Sequence, residues 1–351
     1  MGIFESIGTW ISNNESLLSG VAALAAVIGV IVSALTFAMN RMRKPTGAEQ
    51  ATASRQAADA AVRSDQIPQR KLSFRELVAP SPYPVHYAES DGLRIAYNER
   101  GEGEPAIILA PGILSHLHLN ANMPGIKETQ ELLSQRSRLI CFDKRGQGLS
   151  DPSTQAPSIE ERVSDIDAVM NAAGVDAGVL IGVSEAGPIC IQYAHDHPER
   201  IKGLVLFGTG ARFLESTDFP AGLSEASMDG MAKFWGKGVM RDVFLPGLSR
   251  DVIDDDTYRA MEKLMAPPHS IKAIMKIMKE MDVRELLPTL TVPTLVIHFA
   301  GDLAIPARLG RLLHEAIPNS EHLEVAGCDH SAMSESQEAI EAVWDFCERV
   351  R

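Results

Sequence analysis

From residue 84 to the end of the chain, short apolar runs alternate with stretches whose apolar residues recur at helical spacing. The later runs are almost continuously hydrophobic, as parallel strands buried on both faces are. The first two flank Asp91 and Gly92 and predict a leading antiparallel pair. The pattern predicts an α/β fold with a mostly parallel, doubly wound sheet. The predicted strands are VHYAES, RIAYNER, AIILA, RLICF, GVLIGV, GLVLFG, TLVIHF and HLEVA.

The clearest helix between these strands is predicted to start at Ser158. Glu161 stands three residues later and completes a capping box, in which each side chain bonds the backbone N–H of the other residue. Gly174 supplies the residue type that commonly ends a helix. The apolar positions at helical spacing are Ile159, Val163, Ile166 and Met170.

The sheet pattern stops between about residues 212 and 287, where the sequence predicts a helical cap insertion. This insertion holds eight of the 14 methionines of the chain. Methionine is flexible and polarisable, so the residues suit an adaptable apolar binding surface, but they also suit ordinary packing between helices. The two interpretations stay open at this point. The methionines are Met228, Met231, Met240, Met261, Met265, Met275, Met278 and Met281.

Residues 16–40 form one uncharged, apolar stretch. About 20 helical residues cross the hydrocarbon core of a bilayer, so this stretch is predicted to be a single transmembrane helix in contact with lipid. Arg41, Arg43 and Lys44 follow it at once. The positive-inside rule then places the C-terminal domain in the cytoplasm, at a bacterial inner membrane. A buried helix of a water-soluble domain is the alternative.

The segments around this helix complete the expected domain organisation. The sequence predicts an interfacial amphipathic segment at residues 1–15 and a basic, alanine-rich linker at residues 41–72. It predicts one α/β domain, which carries the cap, at residues 73–351. Small residues lie near one face of the predicted membrane helix and permit close contact with a second copy, although such residues are also common in any spanning helix. They are Ala22, Ala26, Gly29 and Ser33.

The charge and the cysteines exclude several classes of function. The formal net charge is −13, and no basic stripe is available to bind nucleic acid. The four cysteines form no pair at metal-ligand spacing. They are predicted to be buried thiols in a protein of a reducing compartment. No metal or organic cofactor is therefore expected.

Three polar residues follow predicted strands in an order that suits acyl transfer. Ser184 directly follows GVLIGV within GVSEAGP, which is close to the Gly-x-Ser-x-Gly turn that exposes a nucleophilic serine. Ala186 replaces the second glycine of that pattern. Asp302 follows TLVIHF, and His330 follows HLEVA. Since parallel strands end at one edge of a sheet, we expect the three side chains to form a Ser-His-Asp triad.

An oxyanion hole requires two backbone N–H groups near the serine. Glu185 follows the nucleophile, and Ile113 lies in the tight turn after AIILA, so these two residues are the expected donors. A free carboxylate at position 185 would repel the oxyanion. The Glu185 side chain is therefore expected to turn away and pair with a cation, and Arg145 is the expected partner.

Residues from about 84 to 351 resemble the α/β-hydrolase fold superfamily. The motifs that carry the resemblance are FDKRGQGLSD, GVSEAGP, MDVRELLPTLTVPTLVIH and GCDH, and they are most similar to the hydrolase domains fused to bacterial adenylate/guanylate cyclases and regulators. The resemblance implies esterase-like chemistry and a cap at residues 212–287 that acts as a lid over the nucleophile.

The expected function is that of a membrane-anchored serine hydrolase that cleaves a carboxylic ester or thioester through an acyl-enzyme. Hydrolysis of a carbon–carbon bond and cofactor-free perhydrolysis use the same triad and stay open. The alternative from another class is a non-enzymatic, membrane-bound small-molecule sensor or oligomeric scaffold on the same fold.

Overall fold

The computed structural model describes residues 70–113, 115–153 and 156–351. One eight-stranded sheet runs through this part of the chain, in the order β1-β2-β4-β3-β5-β6-β7-β8. Strand β2 pairs antiparallel with β1 and β4, and all other neighbours are parallel. The strands are β1 (His86–Ser90), β2 (Leu93–Arg100), β3 (Ile107–Ala110), β4 (Leu139–Phe142), β5 (Gly178–Val183), β6 (Ile201–Phe207), β7 (Thr294–Phe299) and β8 (Ser320–Val325).

Helices cover both faces of the sheet, so the predicted doubly wound α/β architecture is confirmed. One face packs against α4, α5 and α10, and the other packs against α3 and α11. The helices outside the cap are α1 (Phe74–Leu77), α2 (Leu117–Asn120), α3 (Ile126–Leu133), α4 (Ile159–Ala172), α5 (Gly187–Asp196), α10 (Arg308–Ala316) and α11 (Gln337–Arg349). Short 3₁₀ turns are Ser184–Ala186, Pro198–Arg200, Arg284–Thr289 and Met333–Glu335.

The local predictions agree with these elements. Each of the eight apolar runs forms a strand, with ends that differ by at most two residues. Ser158 and Glu161 form the predicted capping box at the start of α4, and Gly174 has a positive φ of 66° just beyond its end. Hydrophobic period and capping chemistry are local properties, which is why the sequence alone could specify them.

The cap between residues 212 and 287 contains four helices, which are α6 (Glu225–Phe234), α7 (Arg241–Phe244), α8 (Asp255–Met265) and α9 (Pro268–Glu280). Most cap methionines pack inside the cap and against the main core. Met261 and Met265 instead line the cavity that contains Ser184. Helix packing therefore explains most of the cap methionines. Met261 and Met265 are the two that a ligand in this cavity would contact.

The predictions for residues 1–15, 16–40 and most of 41–72 concern segments outside the described residues. Within residues 70–351, apart from the gaps noted above, no helix is both long enough and apolar enough to cross a membrane.

Candidate active site

Ser184 occupies a strained turn between β5 and α5. Its φ is 54°, in the left-handed region that non-glycine residues rarely adopt. Thr209, at the end of the neighbouring strand β6, donates its hydroxyl to the Ser184 carbonyl and braces the turn. A Cβ on Gly187 would collide with the Thr209 side chain, so this position requires glycine. Ala186, by contrast, is 2% exposed and packs in the core, so the departure from glycine is accommodated.

His330 and Asp302 lie side by side at the ends of β8 and β7. The distance between His330 Nδ1 and Asp302 Oδ2 is 2.6 Å, and both side chains are 1% exposed. The other carboxylate oxygen of Asp302 accepts hydrogen bonds from the backbone N–H groups of Ala304 and Ile305, at 2.8 and 3.0 Å. These bonds fix the carboxylate, and the carboxylate in turn orients the imidazole.

Ser184 and His330 line the same cavity, which has a volume of about 130 Å³ and is called the nucleophile cavity below. His330 Nε2 is buried and has no hydrogen-bond partner among the described residues. No hydrogen bond joins this atom to the Ser184 hydroxyl in the structure. The imidazole therefore presents a free nitrogen to the cavity while its other nitrogen is held by Asp302.

The cap holds the loop that carries His330. The His330 N–H donates to the Phe244 carbonyl at 2.8 Å, and the two rings lie 5.7 Å apart. Asp329 Oδ1 accepts a hydrogen bond of 2.6 Å from the Gly247 N–H, which is also in the cap. No pattern in the sequence predicts these contacts, because they join segments about 80 residues apart.

The turn after β3 lies directly against the nucleophile. A Cβ built on Gly112 would lie 2.9 Å from Ser184 Cβ. The next residue, Ile113, lines the nucleophile cavity. Within the described residues, the N–H groups of Ile113 and Glu185 donate to no backbone or side-chain acceptor. Both amides are thus available to an oxygen atom near the serine.

Gln147 is a functional neighbour that the sequence reasoning missed. Its amide N–H donates to the Ile113 carbonyl at 3.1 Å, and its amide oxygen accepts from the Ser115 N–H at 2.9 Å. Gln147 therefore fixes the turn that carries the Ile113 amide. His116, which precedes helix α2, caps that helix by accepting a hydrogen bond from the Leu119 N–H.

The Glu185 side chain pairs with cations, but the expected partner Arg145 is wrong. Arg162 on α4 binds both carboxylate oxygens, and Lys144 Nζ lies 3.1 Å from Glu185 Oε2. Arg145 points elsewhere and binds Asp165 and Asp91. Lys144 and Arg145 are adjacent in the loop after β4, but their side chains bind different carboxylates.

Burial and the ion pairs act in opposite directions on the Glu185 network. Burial alone would raise the pKa of Glu185, but the charges of Arg162 and Lys144 outweigh it and lower this pKa from 4.5 to about 2. Burial lowers the pKa of Lys144 from 10.5 to about 8, although Glu185 partly opposes the shift. At neutral pH the network holds two cations and one anion.

Comparison with known proteins agrees with this fold. The family model described as "alpha/beta hydrolase fold" matches residues 105–255. The chain is 24% identical over 267 residues to the AB hydrolase superfamily protein YisY of Bacillus subtilis, with 74% of this chain and 97% of that protein covered. It is 25% identical over 265 residues to the putative non-heme bromoperoxidase BpoC of Mycobacterium tuberculosis, with 71% and 95% covered. A crystal structure of a hydrolase from Pseudomonas aeruginosa superposes with a TM-score of 0.61 at 26% identity, with 75% and 97% covered.

In its sheet order, its strained serine turn and these matches, the described chain resembles proteins of the α/β-hydrolase fold superfamily. The relatives support an enzyme of the α/β-hydrolase class. A closer relation to the cyclase-fused hydrolase domains is not shown by these matches.

Proposed function

We propose that the protein is a serine hydrolase that cleaves a carboxylic ester or thioester with Ser184, His330 and Asp302. The observation that carries the proposal is a buried imidazole whose Nδ1 binds Asp302 at 2.6 Å, and whose Nε2 has no hydrogen-bond partner in the described part of the chain. The imidazole lines the same cavity as Ser184. A serine hydroxyl at a strained strand–helix turn needs such a base to become a nucleophile.

The proposed reaction has two acyl-transfer steps. His330 Nε2 accepts the Ser184 proton as the oxygen attacks the substrate carbonyl, and Asp302 stabilises the resulting imidazolium. The N–H groups of Ile113 and Glu185 bind the oxyanion. His330 then protonates the leaving alcohol or thiol, which departs from the acyl-enzyme. Water, activated by the same imidazole, releases the acid.

The nucleophile cavity supports an apolar acyl group. Its walls come from the strand ends beside the nucleophile and from the cap, and most of them are hydrophobic. Such surfaces bind hydrocarbon through the area removed from water. The cap contributes Trp235, Phe244, Leu245, Tyr258, Met261 and Met265.

The proposal is tested by labelling the protein with a fluorophosphonate probe, which reacts with activated serines. We expect the wild-type chain to be labelled and Ser184→Ala to be unlabelled. Ser331 also lines the nucleophile cavity, so Ser331→Ala is the matched control and should keep its label. Labelling that survives Ser184→Ala would show that Ser184 is not the reactive serine. An unlabelled wild-type protein with native circular dichroism would contradict an active serine and favour the sensor or scaffold.

Perhydrolysis is a second chemistry for the same residues, because BpoC carries the name bromoperoxidase. In that reaction hydrogen peroxide, rather than water, attacks the acyl-enzyme and releases a peracid. Rates with esters should be compared in the presence and absence of peroxide. Hydrolysis without peroxide supports the esterase assignment, whereas a product that forms only with peroxide supports the second chemistry.

We also propose that residues 16–40 anchor the enzyme to a membrane with the hydrolase domain in the cytoplasm. The uncharged stretch and the basic residues after it support the proposal. The full chain should sediment with membranes and resist extraction by carbonate, and recovery in the soluble fraction would argue against it. Gly29→Leu should weaken self-association of the membrane segment if Ala22, Ala26, Gly29 and Ser33 form a helix contact.

A further inference from the structure

A second pocket, here called the side pocket, begins one residue from the nucleophile. It has a volume of about 160 Å³ and lies between the 144–147 loop, helix α4 and the start of α9. Lys144, Arg162 and Glu185 line it on one side, and Ser270 and Ile274 line it on the other. Met265 borders both this pocket and the nucleophile cavity. A ligand at Ser184 could therefore extend into the side pocket past one flexible side chain.

The buried side chains at the side pocket carry more positive than negative charge. Lys144 and Arg162 are each 7% exposed in their side chains and share the single carboxylate of Glu185. Arg145, the other cation in the lining, is neutralised by Asp165 underneath and by the half-exposed Asp91 and Glu161. Two buried cations on one carboxylate leave one positive charge for a further anion.

Lys144 also keeps hydrogen-bonding capacity. An ammonium group has three N–H donors, and within the described residues the Lys144 side chain donates only to Glu185. The low pKa of Lys144, about 8, is the effect of desolvation that Glu185 does not fully offset. A bound carboxylate or phosphate would supply the missing acceptor and the missing charge together.

The nucleophile cavity and the side pocket differ in chemistry, and this difference orients a substrate. The nucleophile cavity is apolar and continues below the strand ends at Leu109, Cys141 and Phe207, so it suits the acyl chain. The side pocket offers cations and polar groups, so it suits the other half of the ester. We propose that the substrate is an ester whose leaving alcohol carries a carboxylate or phosphate, bound by Lys144 and Arg162 in the side pocket. This inference rests on the proposed function.

The experiment uses the full chain and two esters of equal shape, 4-(butanoyloxy)benzoate and 4-(butanoyloxy)benzamide. The first has an anionic leaving group, and the second has a neutral amide in the same place. At pH 7 we expect kcat/KM for the anionic ester to exceed that for the neutral ester by roughly 10- to 100-fold, the range that one charge-assisted hydrogen bond gives. The preference should appear mainly in KM.

Two variant pairs test whether the side pocket produces the preference. Lys144→Met should remove it, and Lys144→Arg, which keeps the charge, should restore most of it. Ser270→Asp places a carboxylate in the pocket and should reverse the preference, compared with the neutral, size-matched Ser270→Asn. Position 270 lies in the first turn of α9, where an aspartate favours the helix, so this pair stays informative if Lys144→Met does not fold.

The outcomes separate the two proposals. Hydrolysis of the neutral ester that depends on Ser184, with equal kcat/KM for both esters, would overturn the anion subsite and leave the serine hydrolase in place. A preference that survives Lys144→Met and Ser270→Asp would likewise overturn the subsite. If the wild-type enzyme cleaves neither ester, the proposed function fails and the subsite fails with it.

Discussion

At the scale of single residues, the candidate site depends on a few close contacts and hydrogen bonds around Ser184 and His330. Gly112 lies against Ser184, and Asp302 is held by two backbone N–H groups while it binds His330. The sequence identified Ser184, Asp302 and His330 because each follows a predicted strand. It could not identify Gln147, because a glutamine in a polar loop has no pattern that distinguishes it from a solvated one.

Asp302→Asn should lower kcat by roughly 10³- to 10⁴-fold, because asparagine cannot hold the tautomer or stabilise the imidazolium. The asparagine oxygen can still accept from the Ala304 and Ile305 N–H groups, so the melting temperature should change little. Steady-state kinetics and thermal melting test both statements. A variant with wild-type kcat would exclude Asp302 from the mechanism.

Gly112→Ala should reduce kcat/KM sharply, because the new methyl group would meet Ser184 Cβ at 2.9 Å. Gly230→Ala is the matched control. It lies in α6 with no atom within 4 Å of the added Cβ, and it should keep full activity and gain roughly 0.4–1 kcal/mol of unfolding free energy. Equal activity of the two variants would refute a close role for the Gly112 turn.

At the scale of elements, charges and apolar faces determine how the helices and loops meet around the nucleophile. Glu185 after β5, Lys144 after β4 and Arg162 on α4 join three elements that follow one another along the chain, although β3 separates β4 from β5 in the sheet. Hydrogen bonds from the cap likewise hold the loop that carries His330. The sequence predicted each element but not the side-chain partners between elements, since those depend on the directions that the folded chain gives to neighbouring residues.

Glu185→Gln should destabilise the fold at pH 7 by roughly 3–5 kcal/mol, because it leaves Lys144 and Arg162 without their carboxylate. The pKa of Glu185 is lowered from 4.5 to about 2 on folding, so the stabilisation is complete above pH 4.5 and is lost as the pH falls from 4.5 towards 2. Urea unfolding at pH 7, 4.5 and 3.5 should show that the difference in unfolding free energy between wild type and variant becomes smaller as the pH falls. A difference in unfolding free energy that grows on acidification would contradict a stabilising role of the ion pairs.

Met265→Ala should shift the preference of the enzyme towards larger esters, because Met265 borders both cavities. Met231→Ala is the control, since Met231 is also a half-buried cap methionine but packs only against the core. A chain-length panel of chromogenic esters gives the comparison. The same shift in both variants would mean that the cap loosens as a whole, and not that Met265 sets the cavity wall.

At the scale of the whole molecule, the proposed chemistry lies within the described part of the chain, and these described residues belong to one compact unit. The single sheet brings the ends of β5, β7 and β8 to one edge, as parallel strands of a doubly wound sheet require. The proposed membrane anchor, residues 16–40, precedes the residues of the proposed active site along the chain, so anchoring and catalysis should be separable by deletion.

A chain that begins at Arg70 should fold in aqueous buffer and hydrolyse a soluble ester with kcat within about twofold of the full chain, because the residues that line the nucleophile cavity and the side pocket begin at Leu109. Lys71 and Leu72 still contact the cap, through a 2.7 Å ion pair with Asp254 and a 2.7 Å hydrogen bond to Val252, so they should be kept. Kinetics and circular dichroism of the shortened chain provide the test. Loss of activity with retained secondary structure would show that the preceding residues contribute to catalysis.

The sequence by itself determined the strands, the capped helix α4 and the strand ends that carry serine, aspartate and histidine, because hydrophobic period and turn chemistry act over a few residues. Only the tertiary structure decided that Glu185 pairs with Arg162 and Lys144 and that the cap holds His330. It also decided that a second, cationic pocket lies beside the nucleophile. Each of these depends on side chains from distant segments that meet at fixed angles, and the spacing of residues along a chain does not contain those angles.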